Sequence, residues 1–316
     1  MAPANDVAAL LERAELEARS GNLTQAHVLR SEAVFLGATS EPAWASNAAA
    51  ITDAQSASLI DTLGQKNLRV ASVAKNGEWA YRSVKQYKER PQGPILAVTN
   101  LHPQRAFADT APKVSDDDLS LFTHLPALMA ISLKHAEVTD LGMAALTSAP
   151  MLRHLSVASC HRLNGPAIAQ LKELRHLAFE LNPAQAPLEW LKQLHHLERL
   201  TLEGFSRSAD DLFHTVSMLP NLRALALGSG FKLGEAQARK LTTGSSLVAV
   251  ETSKKLTHLT TLDVSKASLL EDAALLHLLA LPALNRLVLG HHPIATSTRE
   301  RLATAMPRLL IETKPL

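Results

Sequence analysis

The chain has 316 residues, more than one compact core usually organises, so two domains or an elongated repeat array are expected. Hydrophobic residues make up 46% of it but aromatic residues only 4%, which predicts a core of Leu, Ala, Val and Ile. The formal net charge of +2 argues against nucleic acid and membrane surfaces as partners, because their recognition requires concentrated basic charge.

The first 50 residues differ in pattern from the rest of the chain. Residues 1–6 lack the basic and apolar regions of a signal peptide, and no apolar stretch is long enough to cross a membrane, so a cytoplasmic location is expected. Residues 7–37 predict two amphipathic helices joined at Gly21 and Asn22, and this hairpin resembles part of one tetratricopeptide unit. We expect residues 1–50 to form a helical cap over the first repeat; an independent docking module is the alternative.

A repeated frame of apolar residues runs through the remainder, residues 51–316. Residues 152–160 read L-x-x-L-x-V-x-x-C, and the same frame returns along the chain. Its second apolar position falls at residues 71, 96, 131, 155, 177, 200, 225, 262 and 287. Six of the eight spacings are 22–25 residues, and the two longer ones predict insertions at residues 102–117 and 231–256.

Helix signals follow several of these frames. After the frame at residues 128–133, Thr139 or Asp140 is suited to cap a helix, because a short side-chain oxygen can accept from free backbone N–H groups. Comparable starts lie at residues 115–117, 208–211 and 271–272, and Leu-Pro pairs mark ends at residues 125–126, 219–220 and 281–282. Each unit is therefore predicted to contain a strand and then a helix.

These frames resemble the leucine-rich repeat family, in particular its longer strand-and-helix type with a T-D-x-G start to the helix. The resemblance covers roughly residues 51–312. It implies an α/β solenoid with a curved parallel sheet on the concave side and helices on the convex side. The physics agrees, since a strand with alternating apolar residues and an amphipathic helix bury their apolar faces only when copies stack.

The sequence contains no recognisable catalytic or nucleotide-binding motif, so we predict no enzyme activity and no cofactor. The single cysteine, Cys160, follows a predicted strand and reads as a buried, inert thiol. The alternative function is a metal-dependent enzyme or metal-binding protein that uses His154, His176 and Glu180. A metal site needs three or four converging ligands, which this sequence does not supply clearly; otherwise the two histidines are exposed or partner-contact residues.

The residues between the leucines are expected on the concave face, because successive side chains of a strand point to opposite sides. They form three columns, of which the first contains Ala130, His154, His176, Arg199, Ala224, Thr261 and Arg286. In the middle repeats a basic or histidine column runs beside an acidic one, and the next repeat, at residues 224–228, has only small residues that could receive a protruding side chain.

These columns predict a non-enzymatic scaffold that binds a protein, possible forms being an adaptor or a bacterial effector. The predicted partner-binding residues are His154, His176, Glu180, Arg199, Thr201 and Glu203. The alternative is that these polar residues are simply solvated, as on any protein surface.

Overall fold

The structure is a computed structural model, and most of the repeat region is described by it. The described residues are 54–66, 68–73, 79–89, 95–101, 113–125, 127–181, 188–204, 215–243 and 256–313, together with Glu12 and Leu212. The predicted helical hairpin at residues 7–37 therefore lies outside the described residues except for Glu12, which is helical. The chain divides into two compact units, residues 1–138 with 145–152 and residues 139–144 with 153–316.

The first unit combines short helices with a four-stranded sheet in the order β2-β1-β3-β4. Its described elements are α1 (Ala54–Gln65), β1 (Arg69–Val73), β2 (Trp79–Ser83), α2 (Val84–Glu89), β3 (Ala97–Thr99), α3 (Asp116–Phe122), β4 (Ala130–Lys134) and a 3₁₀ helix (Leu146–Ser148). Strand β1 is antiparallel to both β2 and β3, whereas β3 and β4 are parallel. The parallel repeats therefore begin at β3, and the frame at residues 68–73, which we had assigned to a repeat, belongs to an antiparallel strand.

Only part of the predicted insertion at residues 102–117 can be examined, because residues 102–112 lie outside the described part. Its last residues are regular elements of the first unit, and Val114 is buried. The backbone N–H and the hydroxyl of Ser115 both donate to the Asp118 carboxylate, at 2.8 and 3.0 Å, which fixes the first turn of α3. The predicted helix start at residues 115–117 is thus confirmed, and the insertion ends before it.

The second unit is a leucine-rich repeat solenoid, with a sheet in the order β5-β6-β7-β8-β10-β12-β13. Its strands are β5 (His154–Ala158), β6 (His176–Leu181), β7 (Arg199–Gly204), β8 (Ala224–Leu227), β9 (Lys232–Leu233), β10 (Thr261–Asp263), β11 (Leu269–Leu270), β12 (Arg286–Gly290) and β13 (Leu310–Thr313). Its helices are α4 (Asp140–Ala145), α5 (Glu235–Thr243), α6 (Asp272–His277), α7 (Thr296–Ala305) and the 3₁₀ helices Pro166–Gln170, Leu188–Gln193 and Leu278–Ala280. All the recorded pairings of this sheet are parallel, and β9 pairs with β11 in a separate two-stranded sheet.

A row of leucines is the core of the second unit. The register aligns the second apolar position of every repeat, and each leucine of the row is at most 2% exposed. The members of this leucine row are Leu155, Leu177, Leu200, Leu225, Leu262 and Leu287. The frame inferred from the sequence is therefore confirmed over these six strands.

The sheet has one more strand than the sequence indicated. Strand β13 pairs with β12 and places Ile311 beside Leu287 at the end of the leucine row. The residues at the other two frame positions, Arg308 and Thr313, are polar, so the apolar spacing that identified the other repeats is absent here. Ile311 is half-buried, unlike the leucines.

The prediction of an insertion over the whole of residues 231–256 is wrong. Residues 232–233 form β9 and residues 235–243 form α5, and both are the regular continuation of the repeat that starts with β8. Phe231 and Leu233 are buried, which ties this segment to the core. The extra length of this repeat lies after α5, where residues 244–255 are outside the described part.

Acidic residues at helix starts connect neighbouring repeats. Thr139 Oγ1 accepts from the backbone N–H of Leu141 within its own helix, at 3.2 Å, whereas the Asp140 carboxylate accepts from the backbone N–H of Gly165 in the next repeat, at 2.9 Å. Asp272, in the repeat of β10, likewise accepts from the backbone N–H of Ala295 in the repeat that follows its own, at 3.1 Å. Of the two predicted capping residues, Thr139 caps the helix and Asp140 joins two repeats.

We expect the change Leu200→Ala to lower the free energy of unfolding by about 2–5 kcal/mol, because it removes a fully buried side chain from the middle of the leucine row. Urea unfolding followed by circular dichroism measures this directly. Leu310→Ala, at a 57% exposed position of β13, serves as the control and should cost far less. Equal effects of the two changes would contradict the assignment of the row.

We expect Gly165→Ala to be destabilising by at least about 1 kcal/mol for two reasons. The backbone of Gly165 has a φ of +105°, which is unfavourable for residues with a Cβ, and that Cβ would lie 2.6 Å from the Trp190 ring. Trp190 is itself held by an edge-to-face contact with Phe179, so it has little freedom to move. Thermal unfolding measures the effect. The control is Gly64→Ala, whose Cβ would lie 3.2 Å from the nearest atom and whose backbone has no positive φ, and it should lower the melting temperature less than Gly165→Ala does.

Candidate partner-binding face

The side chains that alternate with the leucine row lie on one face of the second unit's sheet, which we call the open face. The register makes the predicted first column continuous from β5 to β12. His154, His176 and Arg199 are direct neighbours in it, Thr201 lies in the second column, and Glu180 and Glu203 are neighbours in the third. The six predicted partner-binding residues are thus brought together on three adjacent strands.

The two histidines form a largely buried pair. Their ring centroids are 4.3 Å apart with an interplanar angle of 73°. His154 is only 8% exposed, so the expectation of an exposed side chain is wrong for it, while His176 is half-buried. Burial, with smaller contributions from neighbouring cationic groups, lowers the pKa of His154 to about 2 and the pKa of His176 to about 3. Both imidazoles are therefore neutral at physiological pH.

Three arginines surround this neutral pair at the amino-terminal ends of the strands. Arg153 and Arg175 immediately precede β5 and β6, and Arg199 is the first residue of β7. The positive charges of all three contribute to the low pKa of His154, and those of Arg175 and Arg199 to that of His176. This end of the open face is therefore cationic, a feature that the residue columns alone did not reveal because two of the arginines lie outside them.

Glu180 is held by the preceding repeat. Its Oε2 atom accepts hydrogen bonds from the backbone N–H and the hydroxyl of Ser159, at 2.8 and 3.1 Å. Ser159 has a φ of +51°, a left-handed conformation that is uncommon for a residue with a side chain. The Glu180 carboxylate thus stabilises the turn after β5, which gives it a structural function beside the predicted binding function.

Glu203 reaches across the sheet toward Lys266. The Glu203 Oε1 atom lies 2.7 Å from the Lys266 ammonium group, and this interaction raises the pKa of Lys266. On the way the side chain covers Gly228, where an added Cβ would lie 2.5 Å from Glu203 Cγ. The small-residue floor predicted at residues 224–228 is therefore open only at Ala224 and Ala226, which are half-buried.

Arg199 and Thr201 are the members of the predicted set whose side chains have no recorded partner among the described residues. Arg199 is exposed, and no hydrogen bond or ion pair of its guanidinium group is found within the described part of the chain. Thr201 is half-buried beside Ala178 and Ala226. Among the charged residues that were predicted to bind the partner, Arg199 is therefore the one whose side chain is available to a ligand.

The sequence analysis did not identify two further charged residues, Lys266 and Glu312, whose side chains contact residues of the open face. Arg286 donates to both carboxylate oxygens of Glu312, at 2.8 and 3.0 Å, and this contact lowers the pKa of Glu312. Glu312 was missed because β13 lacks the leucine spacing, and Lys266 because it follows β10 outside the three columns.

The metal hypothesis lacks the ligands that it needs. Within the described ranges, no group of three or more His, Cys, Asp or Glu side chains is placed to hold a metal ion. Glu180, the third ligand of that hypothesis, is already occupied by Ser159. Cys160 is a buried thiol outside any disulfide, and its Sγ lies 3.3 Å from the Ala158 carbonyl oxygen, as expected for a packed residue.

Comparison with solved structures gives leucine-rich repeat proteins at low identity. Internalin C2 of Listeria monocytogenes is 17% identical over 83% of this chain and 93% of its own, with a TM-score of 0.46. Internalin InlF of the same organism is 15% identical over 83% and 75%, with a TM-score of 0.41. TLR13, solved in complex with ssRNA13, is 20% identical over 58% and 31%, with a TM-score of 0.39.

These TM-scores are below 0.5, so the fold assignment stands on the strand register of this chain and not on the comparisons. No family model matches the sequence, and no curated protein matches it either. Among the helices that the structure describes, none has the length and apolar character that a membrane span requires.

The buried histidine pair predicts a stability that falls in mild acid. Because the folded-state pKa of each histidine lies below the ordinary value of 6.5, the unfolded chain binds protons that the folded chain does not. The stabilisation is complete above about pH 7 and is lost progressively as the pH falls through 6.5 toward 3. Between pH 7.5 and 5.0 we expect the free energy of unfolding to fall by roughly 2–4 kcal/mol.

Urea unfolding at the two pH values measures this loss. The double variant His154→Gln/His176→Gln should show a flatter pH dependence, and the exposed His291→Gln should behave as the parent chain does. A parent chain that is equally stable at both values would contradict the burial of neutral imidazoles.

Proposed function

We propose that the chain is a non-enzymatic binding scaffold that holds a protein partner on the open face of strands β5 to β8. The observation that carries the proposal is the alternation along each strand: the leucines are buried in the core, and most of the residues between them are at least partly exposed on the open face. Stacked repeats present such residues in regular columns over several strands, which gives a surface wide enough for a protein partner.

The chemistry of the face supports a protein partner. Exposed Arg199 adjoins half-buried Thr201, Ala224 and Ala226, a combination of charge, hydroxyl and small apolar surface. Arginine is enriched at the energetic centres of interfaces, where it pairs with carboxylates and packs on apolar groups. Small neighbours leave room above the sheet for a side chain of the partner.

A metal-dependent function is not proposed, since the part of the chain that the structure describes holds no group of three or more potential metal ligands. An adaptor or a bacterial effector is the finer form of this proposal, and the Ala- and Leu-rich composition is compatible with a bacterial origin. Recovery of the partner by affinity capture, followed by its identification, distinguishes these forms from each other.

We expect the double change Arg199→Ala/Glu203→Ala to leave the fold intact, because Arg199 is exposed and the Glu203–Lys266 ion pair lies at the surface, where such pairs contribute little to stability. It should weaken the captured partner's binding by about 1–3 kcal/mol if either residue is an energetic centre. Calorimetric titration of the partner measures the loss. The matched control is Glu300→Ala/Arg301→Ala, a charge pair exposed on α7 and away from the open face.

Unchanged affinity in the double variant would contradict the placement on β7. If removal of residues 244–255 abolished binding at the same time, the site would lie in that segment and not on the open face.

A further inference from the structure

We propose that the partner presents an acidic peptide segment to the open face and that one of its carboxylates pairs with Arg199. This inference rests on the proposed function and names the chemistry of the partner at that site.

Arg199 differs in its contacts from Arg286, the other arginine of the same column. Arg286 is fully engaged, since its guanidinium donates two hydrogen bonds to Glu312. The guanidinium of Arg199 is exposed and has no such partner in the described residues. An arginine fork binds a carboxylate through two parallel hydrogen bonds, so the Arg199 guanidinium can donate both bonds to an external carboxylate.

The surroundings of Arg199 carry further positive charge. Arg153 and Arg175 lie at the same end of the strands, where they pair with Glu173 and Glu198 at 3.7 and 3.5 Å. The positive charges of Arg175 and Arg199 both act on the two histidines, which are themselves neutral. Arg199 therefore adds an exposed cation to this end of the face, which favours an anionic group there.

The acidic side chains of the face already take part in hydrogen bonds or ion pairs within the chain. Glu180 accepts from Ser159, and Glu203 pairs with Lys266. Asp263 accepts from the Ser265 backbone N–H at 2.9 Å. A basic group of the partner would have to compete with these contacts, whereas an acidic group at Arg199 displaces none.

The position of the acidic residues also selects among anions. Glu203 lies four residues from Arg199 along β7, or about 13 Å at the rise of an extended strand. A single carboxylate fits at the cationic end without approaching Glu203. A polyanion such as a nucleic acid would extend over the column of Glu180 and Glu203 and be repelled by their carboxylates. The charges of the face therefore favour an acidic peptide.

The test uses a random 12-residue peptide library displayed on phage and selected on the intact chain. Enriched peptides are synthesised with a fluorophore, each beside a counterpart in which Asp and Glu are replaced by Asn and Gln, and their affinities are measured by fluorescence anisotropy. We expect enrichment of Asp and Glu, and a loss of about tenfold or more in the neutral counterpart and with Arg199→Gln.

Further variants distinguish the effect of the positive charge at position 199 from the effect of the shape of the guanidinium group. Arg199→Lys, which keeps the charge but not the fork, should retain part of the affinity, and Arg301→Gln on α7 should change nothing. Ala226→Trp fills the space beside Thr201 and should block any ligand of this face.

The outcomes distinguish the inference from the proposed function beneath it. Peptides that are blocked by Ala226→Trp but indifferent to Arg199→Gln would overturn the acidic partner and leave the scaffold in place. Peptides indifferent to both variants would overturn both proposals. Arg199-dependent binding of a single-stranded 13-nucleotide RNA more tightly than the enriched peptides would also overturn the acidic peptide, in favour of a phosphate ligand.

Discussion

The stacking of one leucine per strand determines the strand register and the core of the second unit. Each leucine of the row lies beside its counterpart in the next repeat, and the row is closed to solvent over six strands. Since side chains alternate along a strand, the row also fixes which residues reach the open face. A shift of one residue would exchange the two faces, so the burial of Leu200 and the exposure of Arg199 are one constraint.

The open face owes its character to contacts made across strands. Glu180 stabilises a left-handed residue of the repeat before it, and Glu203 reaches the lysine that follows β10. Two of the three ionised residues predicted as binding residues are thus tied into the fold, and the remaining one, Arg199, is available to a ligand. The same register places two neutral histidines and two further arginines beside it, which makes one end of the face cationic.

The sequence alone predicts the elements that repeat and misses those that do not. Leucine spacing identified the strands of the row and their register, because the same physical demand recurs in every copy. It misassigned residues 68–73, since apolar alternation does not distinguish a parallel from an antiparallel strand. It missed β13 because Arg308 and Thr313 replace apolar residues, and the burial of His154 because that depends on neighbouring strands.

A double-mutant cycle on the leucine row tests the central claim most directly. Leu200 and Leu225 are register neighbours, so their changes to alanine should be coupled by about 0.5–3 kcal/mol in the free energy of unfolding. Leu200 and Leu287 are three strands apart, and their changes should add within about 0.5 kcal/mol. Additive effects for the adjacent pair, or equal coupling for both pairs, would contradict the stacked row.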